Sequence, residues 1–355
     1  MPGVIVAGGG PVGMLLATEL GLHGVPTTVV EKLTETHDEP RAGTLHARTA
    51  QTLLRRGHLP ASQPPRDPHA VVEVPFHFGG RPVLTLESPA LEGAPMVGRA
   101  QSDIERFFEA KARSLGVEIL RGHQVTGVRD HGESVTVTTE HGELTAAYVV
   151  GCDGARSTVR EAAGITGTTH PATFAGLLGL PRLGDPARVP GGWTQGPTGW
   201  TLVNVNPAGH SRILTHEFTQ PLPARGTPAT LDDLRGAASR ILGHDVPMAD
   251  PAFLGRFSDF TRLADEYRRG WLLLAGDAAH VHAPLGGQGL NLGLQDAVNL
   301  GWKLAMVVAG TAPEQLLDTY GTERRPVAEA VIENTRAQAA LMRPGPEFEP
   351  LRRLV

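Results

Sequence analysis

The chain opens with short apolar runs separated by a glycine-rich turn. Residues 4–7 are all apolar, which is typical of a strand buried inside a parallel sheet. Residues 14–20 have the composition of an apolar helix, and residues 27–30 form a second strand-like run. This order predicts a β-α-β unit, the starting unit of a Rossmann-like α/β fold.

Alternation of apolar and polar positions predicts further elements. Residues 71–86 alternate in this way, which predicts strands over a pocket. Ser102 and Glu105 have the spacing of a capping box, and the helix that it opens is expected to end at Gly116. Two alternating segments within residues 134–146 predict a β-hairpin.

The composition changes between residues 167 and 260. Proline and glycine become frequent there and strand-like pieces dominate, with one helix expected near residues 231–242. The apolar run at residues 271–275 predicts a return to the first sheet, and a long helix is expected from about residue 290. A last amphipathic helix is predicted over residues 326–342.

The first glycine-rich turn has the spacing of a dinucleotide-binding site. Gly8 permits the tight turn, Gly10 lets the backbone approach a pyrophosphate, and Gly13 lets the helix pack on the strand. The N-terminus of that helix favours phosphate. Glu31 ends the second strand, where a carboxylate accepts hydrogen bonds from ribose hydroxyls and repels a 2′-phosphate. The turn therefore predicts FAD or NAD in preference to NADP.

A second glycine-rich signature lies near the end of the chain. Gly276 and Asp277 follow the apolar run, and Asp277 is placed to accept from a ribityl hydroxyl. Residues 286–289 are rich in glycine, so the backbone can pass close to an isoalloxazine ring, and the helix from Leu290 directs N–H groups at negative charge there. Asn291 offers a side-chain contact. Together the two signatures predict one FAD held at both ends.

These predictions divide the chain into two domains. Residues 1–166 and 261–355 are assigned to a discontinuous, Rossmann-like FAD-binding domain. Residues 167–260 are assigned to an inserted β-sheet domain that binds the substrate, with a contribution from about residues 71–100.

Charge and cysteine content exclude several classes of protein. The net charge of −5 and the lack of a basic block interleaved with aromatic residues argue against nucleic-acid binding. No run of eighteen apolar residues is present, which argues against a membrane span. Cys152 is the single cysteine, and His280 and His282 have no evident third ligand, so no metal site is expected. We expect a cytoplasmic protein, either monomeric or homodimeric.

Four stretches resemble the class A flavoprotein monooxygenases, the family of para-hydroxybenzoate hydroxylase, and within it the polyketide and angucycline hydroxylases. They are residues 4–31, 40–49, 150–160 and 276–303. The resemblance implies that the motif at residues 151–157 serves both FAD and the incoming NADPH.

The resemblance also implies roles for residues outside the two signatures. It places Asp153 and Arg156 near the pyrophosphate, Arg41 and Gln101 on the phosphates and ribityl chain of FAD, and Val125 beside the adenine. Together with the residues derived above, this yields the predicted cofactor-binding set: Gly8, Gly10, Pro11, Val12, Gly13, Glu31, Lys32, Arg41, Gln101, Val125, Asp153, Gly154, Arg156, Asp277, Pro284, Gly287, Gly289, Leu290 and Asn291.

The function implied by the resemblance is hydroxylation of an aromatic, polyketide-like molecule by FAD, with NADPH or NADH as cosubstrate and O2 as oxidant. In the family a flavin C4a-hydroperoxide carries the difficult step. No catalytic side chain can be named from the sequence. Baeyer–Villiger oxidation or epoxidation on the same scaffold, and a non-catalytic flavoprotein that binds a metabolite, remain alternatives. An NAD-dependent dehydrogenase is disfavoured because Asp277 would then have no role, and a flavin halogenase because no Trp-x-Trp-x-Ile stretch is present.

Overall fold

A computed structural model describes residues 3–59, 67 and 69–354. Eight α-helices occur in these residues. They are α1 (Pro11–Leu22), α2 (Ala47–Arg55), α3 (Gln101–Ser114), α4 (Thr158–Ala162), α5 (Leu231–Leu242), α6 (Gln288–Val308), α7 (Asp318–Met342) and α8 (Glu349–Arg352).

The same residues form twenty-three short strands. They are β1 (Val4–Ala7), β2 (Thr27–Glu31), β3 (Thr44–His46), β4 (Val71–Phe78), β5 (Arg81–Pro89), β6 (Met96–Gly98), β7 (Glu118–Arg121), β8 (Val125–Asp130), β9 (Val135–Thr139), β10 (Gly142–Ala146), β11 (Tyr148–Gly151), β12 (Gly167–His170), β13 (Ala175–Gly179), β14 (Arg182–Leu183), β15 (Gly192–Gln195), β16 (Gly199–Asn204), β17 (Arg212–Glu217), β18 (Met248–Ala249), β19 (Leu254–Ser258), β20 (Thr261–Ala264), β21 (Arg268–Arg269), β22 (Leu272–Leu274) and β23 (His280–Val281).

The first sheet is parallel apart from one edge strand. Its order is β21-β22-β11-β1-β2-β7, and only β21 runs antiparallel to its neighbour. The apolar runs at the centre of this sheet are buried because helices cover them. α1 is itself buried along most of its length because it lies between this sheet, α3 and α6. The predicted parallel sheet, including the return of the chain at β22, is confirmed.

The second sheet is antiparallel and has the order β15-β16-β17-β13-β19. One of its faces packs on α5 through Leu177, Val203 and Ile213. The predicted helix over residues 231–242 is confirmed at both ends. Thr230 and Asp233 form a capping box at its start, and Gly243 takes the left-handed conformation at its end.

The predicted start of α3 is wrong. α3 has Ala100 as its N-cap with no side-chain cap, so Ser102 does not form the predicted capping box. The Gln101 N–H instead donates to the Ala42 carbonyl at 3.0 Å, a tertiary contact that the local pattern does not contain. The predicted glycine after α3 is confirmed, since Gly116 has a φ of +83°.

The predicted start of α7 is also wrong, because α7 begins at Asp318 and contains Pro326 in its interior. The prediction started this helix at the proline itself. Two contacts upstream of the proline hold the first turns of the helix in place. Tyr320 donates to the Leu274 carbonyl at 2.8 Å, and Arg324 pairs with Asp296. α6 also begins earlier than predicted, at Gln288, with Gly287 in the left-handed conformation before it.

Candidate active site

Three loops meet at the carboxyl ends of neighbouring parallel strands. They follow β1, β11 and β22, which are adjacent in the first sheet. The Cys152 N–H donates to the Ala7 carbonyl at 2.7 Å, and the Ala275 N–H donates to the Gly151 carbonyl at 2.9 Å. Ligands of open α/β sheets bind at this edge, so the loops mark the candidate site.

The glycines of the first loop are required by close backbone contacts. A β-carbon at Gly8 would lie 2.3 Å from the Cys152 carbonyl oxygen, and Gly8 has a φ of +106°. A β-carbon at Gly13 would lie 2.0 Å from the Gly8 oxygen. A β-carbon at Gly10 would have no atom of the described residues within 4 Å. Gly10 is the N-cap residue of α1, so no side chain occupies the end of this helix. The first turn of α1 therefore leaves room and N–H groups for a phosphate.

Glu31 is buried at the end of β2, where it holds the glycine loop. Its Oε2 accepts from the Gly9 N–H at 2.6 Å, and its Oε1 accepts from the Leu33 N–H at 2.8 Å. Each carboxylate oxygen can accept a second hydrogen bond, so the group is positioned for ribose hydroxyls. The predicted neighbour Lys32 is exposed beside it.

The two glycine signatures meet at Val12. A β-carbon at Gly276 would lie 3.2 Å from Val12 Cγ2, and one at Gly293 in α6 would lie 2.7 Å from the same atom. The valine side chain therefore occupies space that both glycines leave free. This contact brings the start of α1 to the turn after β22 and to the second turn of α6, as one extended cofactor requires.

Two carboxylates have acceptor atoms available at this edge. Asp277 is exposed after β22, and no described residue donates to its carboxylate. Asp153 Oδ1 is buried without a hydrogen-bond partner in the described chain, while Oδ2 accepts from the Val159 N–H at 3.2 Å. Burial raises the pKa of Asp153, and a hydrogen bond from Ser157 opposes this rise. Free acceptors beside open space at Gly10 fit a cofactor that carries hydroxyls and a pyrophosphate.

The residues taken from the resemblance lie in different surroundings. Arg41 is exposed and pairs with Glu39 at 2.8 Å, close to the start of α3 where Gln101 lies. Arg156 is exposed after Gly154, which has a φ of +82°. Val125 is buried at the start of β8, in a separate three-stranded sheet. Gln101 lies near Arg41, because its N–H donates to the carbonyl of the next residue, Ala42, at 3.0 Å.

The loop before α6 is held in place by Asn291. Asn291 Oδ1 accepts from the His46 N–H at 2.8 Å, and its Nδ2 donates to the carbonyls of Thr44 at 3.0 Å and Gly287 at 2.9 Å. The side chain thus fastens β3 to the start of α6. Its amide has protein partners, so any effect on a flavin acts through the position of Gly287, whose φ is +65°.

The free face of the second sheet carries an apolar row opposite α5. Leu178 pairs with Leu214, Leu214 with Leu202, and Leu202 with Trp193, across four neighbouring strands. All four side chains are half-buried, whereas the alternate residues such as Ile213 are buried against α5. We call these four residues the apolar row.

The β4–β5 hairpin lies between the loop before α6 and the apolar row. A β-carbon at Gly286 would lie 3.7 Å from Phe76 Cζ. The next residue, His77, packs its ring on Trp193 with 4.7 Å between centroids. The loop, the hairpin and the sheet therefore surround one region next to the cofactor edge.

Comparison with known protein families identifies the family of this chain. The model of the FAD binding domain family matches residues 2–335. The chain belongs to this FAD-binding family. FAD is therefore its cofactor, and the predicted α/β fold with an inserted β-sheet is confirmed.

Its relatives in this family include named oxygenases. The chain is 39% identical to the 12-dehydrotetracycline 5-monooxygenase/anhydrotetracycline 6-monooxygenase of Streptomyces rimosus, over 99% of the chain and 72% of the relative. It is 40% identical to the rifampicin monooxygenase of Streptomyces venezuelae, over 99% of the chain and 74% of the relative. The predicted enzyme class, an FAD-dependent monooxygenase that uses NAD(P)H, is confirmed.

A solved structure of the family has a different named activity. The Diels–Alderase PyrE3 superposes with a TM-score of 0.88 at 39% identity, over 99% of the chain and 76% of that protein.

The described chain contains no helix with the length and hydropathy of a membrane span.

A buried ionic cluster joins the FAD-binding elements, and the sequence interpretation missed its centre, Asp296. Its Oδ2 lies 2.6 Å from His280 Nε2 and accepts from the Gly276 N–H at 3.2 Å, and its Oδ1 accepts from Arg324 Nε at 2.7 Å. Burial alone raises the pKa of Asp296, but His280 and Arg324 outweigh it and hold the pKa below its ordinary value. The available signal is that Asp296 is the one carboxylate in the sequence of α6.

Arg212 is a second functional candidate that the sequence did not indicate. Its Nη2 donates to the Arg41 carbonyl at 3.2 Å, and its Nε is buried without a partner in the described chain. No described carboxylate lies within ion-pair distance of it, and burial lowers its pKa. Arg212 precedes the apolar row on β17, so this cation borders the same region as the cofactor loop.

Proposed function

We propose that this chain transfers one oxygen atom of O2 to an aromatic, multi-ring molecule of the polyketide type. NAD(P)H supplies the electrons. The observation that carries the proposal is the position of the apolar row, whose Trp193 packs on His77 of the hairpin, while Phe76 of the same hairpin lies beside Gly286 in the loop before α6. A flat apolar substrate has a matching surface there, beside the glycine loop assigned to the flavin ring.

The residues of the cofactor edge would hold FAD as follows. Gly10 and the start of α1 face the pyrophosphate, Glu31 the ribose, and Asp277 the ribityl chain, with Gly287 next to the ring. The chemistry supplied by the bound FAD is acceptance of a hydride from NAD(P)H and activation of O2. The protein groups orient the substrate on the apolar row and exclude water from it.

The domain division, the localisation and the oligomeric state are also proposals. We assign residues 1–166 and 261–355 to FAD binding and residues 167–260 to the substrate, with help from about residues 71–100. The hairpin contacts of Phe76 and His77 support that last assignment. A cytoplasmic monomer or homodimer is consistent with the acidic net charge and the single cysteine.

The decisive experiment follows the oxygen atom. The purified, FAD-loaded chain is incubated with NADPH, ¹⁸O2 and a panel containing anhydrotetracycline, rifampicin and hydroxyanthraquinones. We expect at least one compound to accelerate NADPH oxidation and to gain one labelled oxygen. A protein that takes up no FAD, or that reduces O2 without labelling any aromatic compound offered, would contradict the proposal.

The same products separate the alternatives. A hydroxylated ring with the carbon skeleton intact supports hydroxylation, whereas an inserted ring oxygen or an epoxide supports the nearest alternatives. An isomer of unchanged mass, formed without NADPH, would instead indicate a cyclase. PyrE3, which is named a Diels–Alderase, has the same fold.

A further inference from the structure

His77 occupies an irregular position in the β4–β5 hairpin. The pairing of the two strands shifts between Phe76 and Phe78, where Pro82 and Val83 of β5 lie opposite the single residue His77. A bulge of this kind bends a hairpin locally and is common next to active sites. The His77 ring stacks on Phe76 with 4.8 Å between centroids and also packs on Trp193. The imidazole is thereby placed at the Trp193 end of the apolar row.

This imidazole has a polar atom that the protein does not use. His77 Nδ1 is buried and has no hydrogen-bond partner among the described residues. The His216 ring also packs on Trp193, with 5.3 Å between centroids, and its Nδ1 likewise has no hydrogen-bond partner among the described residues, although His216 is only 1% exposed. Buried polar atoms of proteins are nearly always paired, so each such atom indicates a ligand or a functional group nearby.

Burial favours the uncharged form of both imidazoles. It lowers the pKa of His77. Burial, together with the proximity of His77, lowers the pKa of His216 to about 3. A neutral imidazole has one donor and one acceptor nitrogen, which suits a hydroxyl group and not an anion.

Two imidazoles pack on Trp193, and of these His216 is buried whereas His77 is half-buried. Leu178, Leu202 and Leu214 are apolar, and Arg212 beyond them has donors alone. Tyr320 already donates to the Leu274 carbonyl inside the first sheet. His77 is therefore the half-buried side chain beside the row that can accept a hydrogen bond.

We propose that His77 binds a phenolic hydroxyl group of the aromatic substrate and so selects hydroxylated rings. His77 accepts the hydrogen bond of that hydroxyl while the fused rings lie along the apolar row. The hydrogen bond fixes which ring edge faces the cofactor, and it increases the electron density of the ring that carries the hydroxyl. This inference rests on the proposed function, because it assigns the substrate to the same region.

Binding of three related probes tests the inference without turnover. The probes are 2-hydroxyanthraquinone, 2-methoxyanthraquinone and anthraquinone, and binding to the FAD-loaded chain is followed by flavin absorbance and tryptophan fluorescence. We expect the hydroxyl compound to bind the wild-type chain about tenfold more tightly than the other two. His77→Phe keeps a ring against Trp193 and should reduce this ratio to about one. His77→Gln, which retains an acceptor, should keep part of it.

Controls separate a binding role from a structural one. His131 is exposed between β8 and β9, so His131→Phe should leave the ratio unchanged. FAD content and anthraquinone affinity should be equal in wild type and His77→Phe. A hydroxyl preference that survives His77→Phe, or a wild-type chain with no preference among the three probes or no binding of any, would overturn the inference.

The outcome is distinguishable from failure of the proposed function. Oxygen transfer is measured on the same preparations with ¹⁸O2. Label incorporation without a hydroxyl preference overturns only the role of His77. A His77-dependent preference without label incorporation in any compound overturns the oxygenase assignment and leaves the binding role intact.

Discussion

His280 Nε2 and Asp296 Oδ2 lie 2.6 Å apart, and both side chains are fully buried. The pair joins the segment after β22 to α6, and Arg324 adds α7 through the second oxygen of the same carboxylate. The Gly276 N–H also donates to Asp296. The turn that carries Asp277 is therefore held by an almost completely buried cluster of ionisable groups.

Asp296→Asn is expected to destabilise the fold. Removing one partner of a buried ion pair leaves the other charges uncompensated, at a cost of about 3–5 kcal/mol. Urea denaturation measures the loss. The matched control is Asp232→Asn, which removes an exposed pair with Arg235 and should change stability by less than about 0.5 kcal/mol. Equal effects of the two substitutions would argue against a central role for Asp296.

The same cluster predicts an acid limit of stability. Because the pKa of Asp296 is lowered in the folded state, its contribution is complete above the ordinary aspartate pKa of about 4. That contribution is lost as the pH falls through the lower, folded pKa. The unfolding midpoint of the wild type should therefore fall more steeply below about pH 4 than that of Asp296→Asn. Parallel pH profiles would contradict this assignment.

Gly293→Ala is expected to weaken FAD binding through the contact with Val12. The added β-carbon would lie 2.7 Å from Val12 Cγ2 and push α6 away from α1. We expect FAD affinity to fall at least about tenfold, equivalent to about 1.4 kcal/mol, in a titration of the apoprotein. Val12→Ala in the same chain should restore much of the affinity by removing the clash. Gly236→Ala is the control, since its β-carbon would meet only the flexible end of Arg240.

Glu31→Gln should weaken FAD binding while leaving most of the packing unchanged. The amide oxygen can accept from only one of the two N–H groups, Gly9 or Leu33, and its NH2 group opposes the other. A loss of about tenfold in FAD affinity is expected. Glu35→Gln, at an exposed position of the following loop, should have no effect. Unchanged FAD retention in Glu31→Gln would contradict the assignment of Glu31 to the ribose of FAD.

Asp277→Ala should release FAD without destabilising the apoprotein. The carboxylate is exposed and has no hydrogen bond from a described residue, so its removal costs no protein contact. FAD content after gel filtration should drop, while the thermal midpoint of the apoprotein stays the same. Asp245→Ala, exposed near the end of α5, serves as the comparison. Full FAD retention would show that the ribityl chain does not depend on Asp277.

Arg212→Met should separate stability from ligand binding. A buried cation without a carboxylate costs stability, so the apoprotein should be equally or more stable after the change, while FAD affinity falls. For Arg240→Met we expect the opposite result in both measurements. Arg240 pairs with the buried Glu217 at 2.7 Å, so its loss should lower the denaturation midpoint and leave FAD affinity unchanged. A lower midpoint for Arg212→Met would indicate a purely structural role.

Features that depend on neighbours along the chain could be predicted from the sequence. Gly13 is required by its contact with the Gly8 oxygen inside one strand-turn-helix unit, and Gly8 has a φ of +106°, so the spacing of the two glycines indicates a dinucleotide loop. α5 was predicted at both ends because Thr230 and Gly243 act through local backbone geometry. The pairing of two glycine signatures likewise indicated FAD, since each signature carries its own local constraint.

Features that depend on residues far apart in sequence could not be predicted in this way, because they form only in the folded chain. α3 begins at Gln101 because of a hydrogen bond to Ala42, and a local pattern contains no record of such a contact. The apolar row exists only once the register of β13, β17, β16 and β15 is set. The bulge at His77 and the burial of Asp296 are likewise products of packing. Hydrogen-bond register and burial are relations between distant segments, so they arise only when the segments meet.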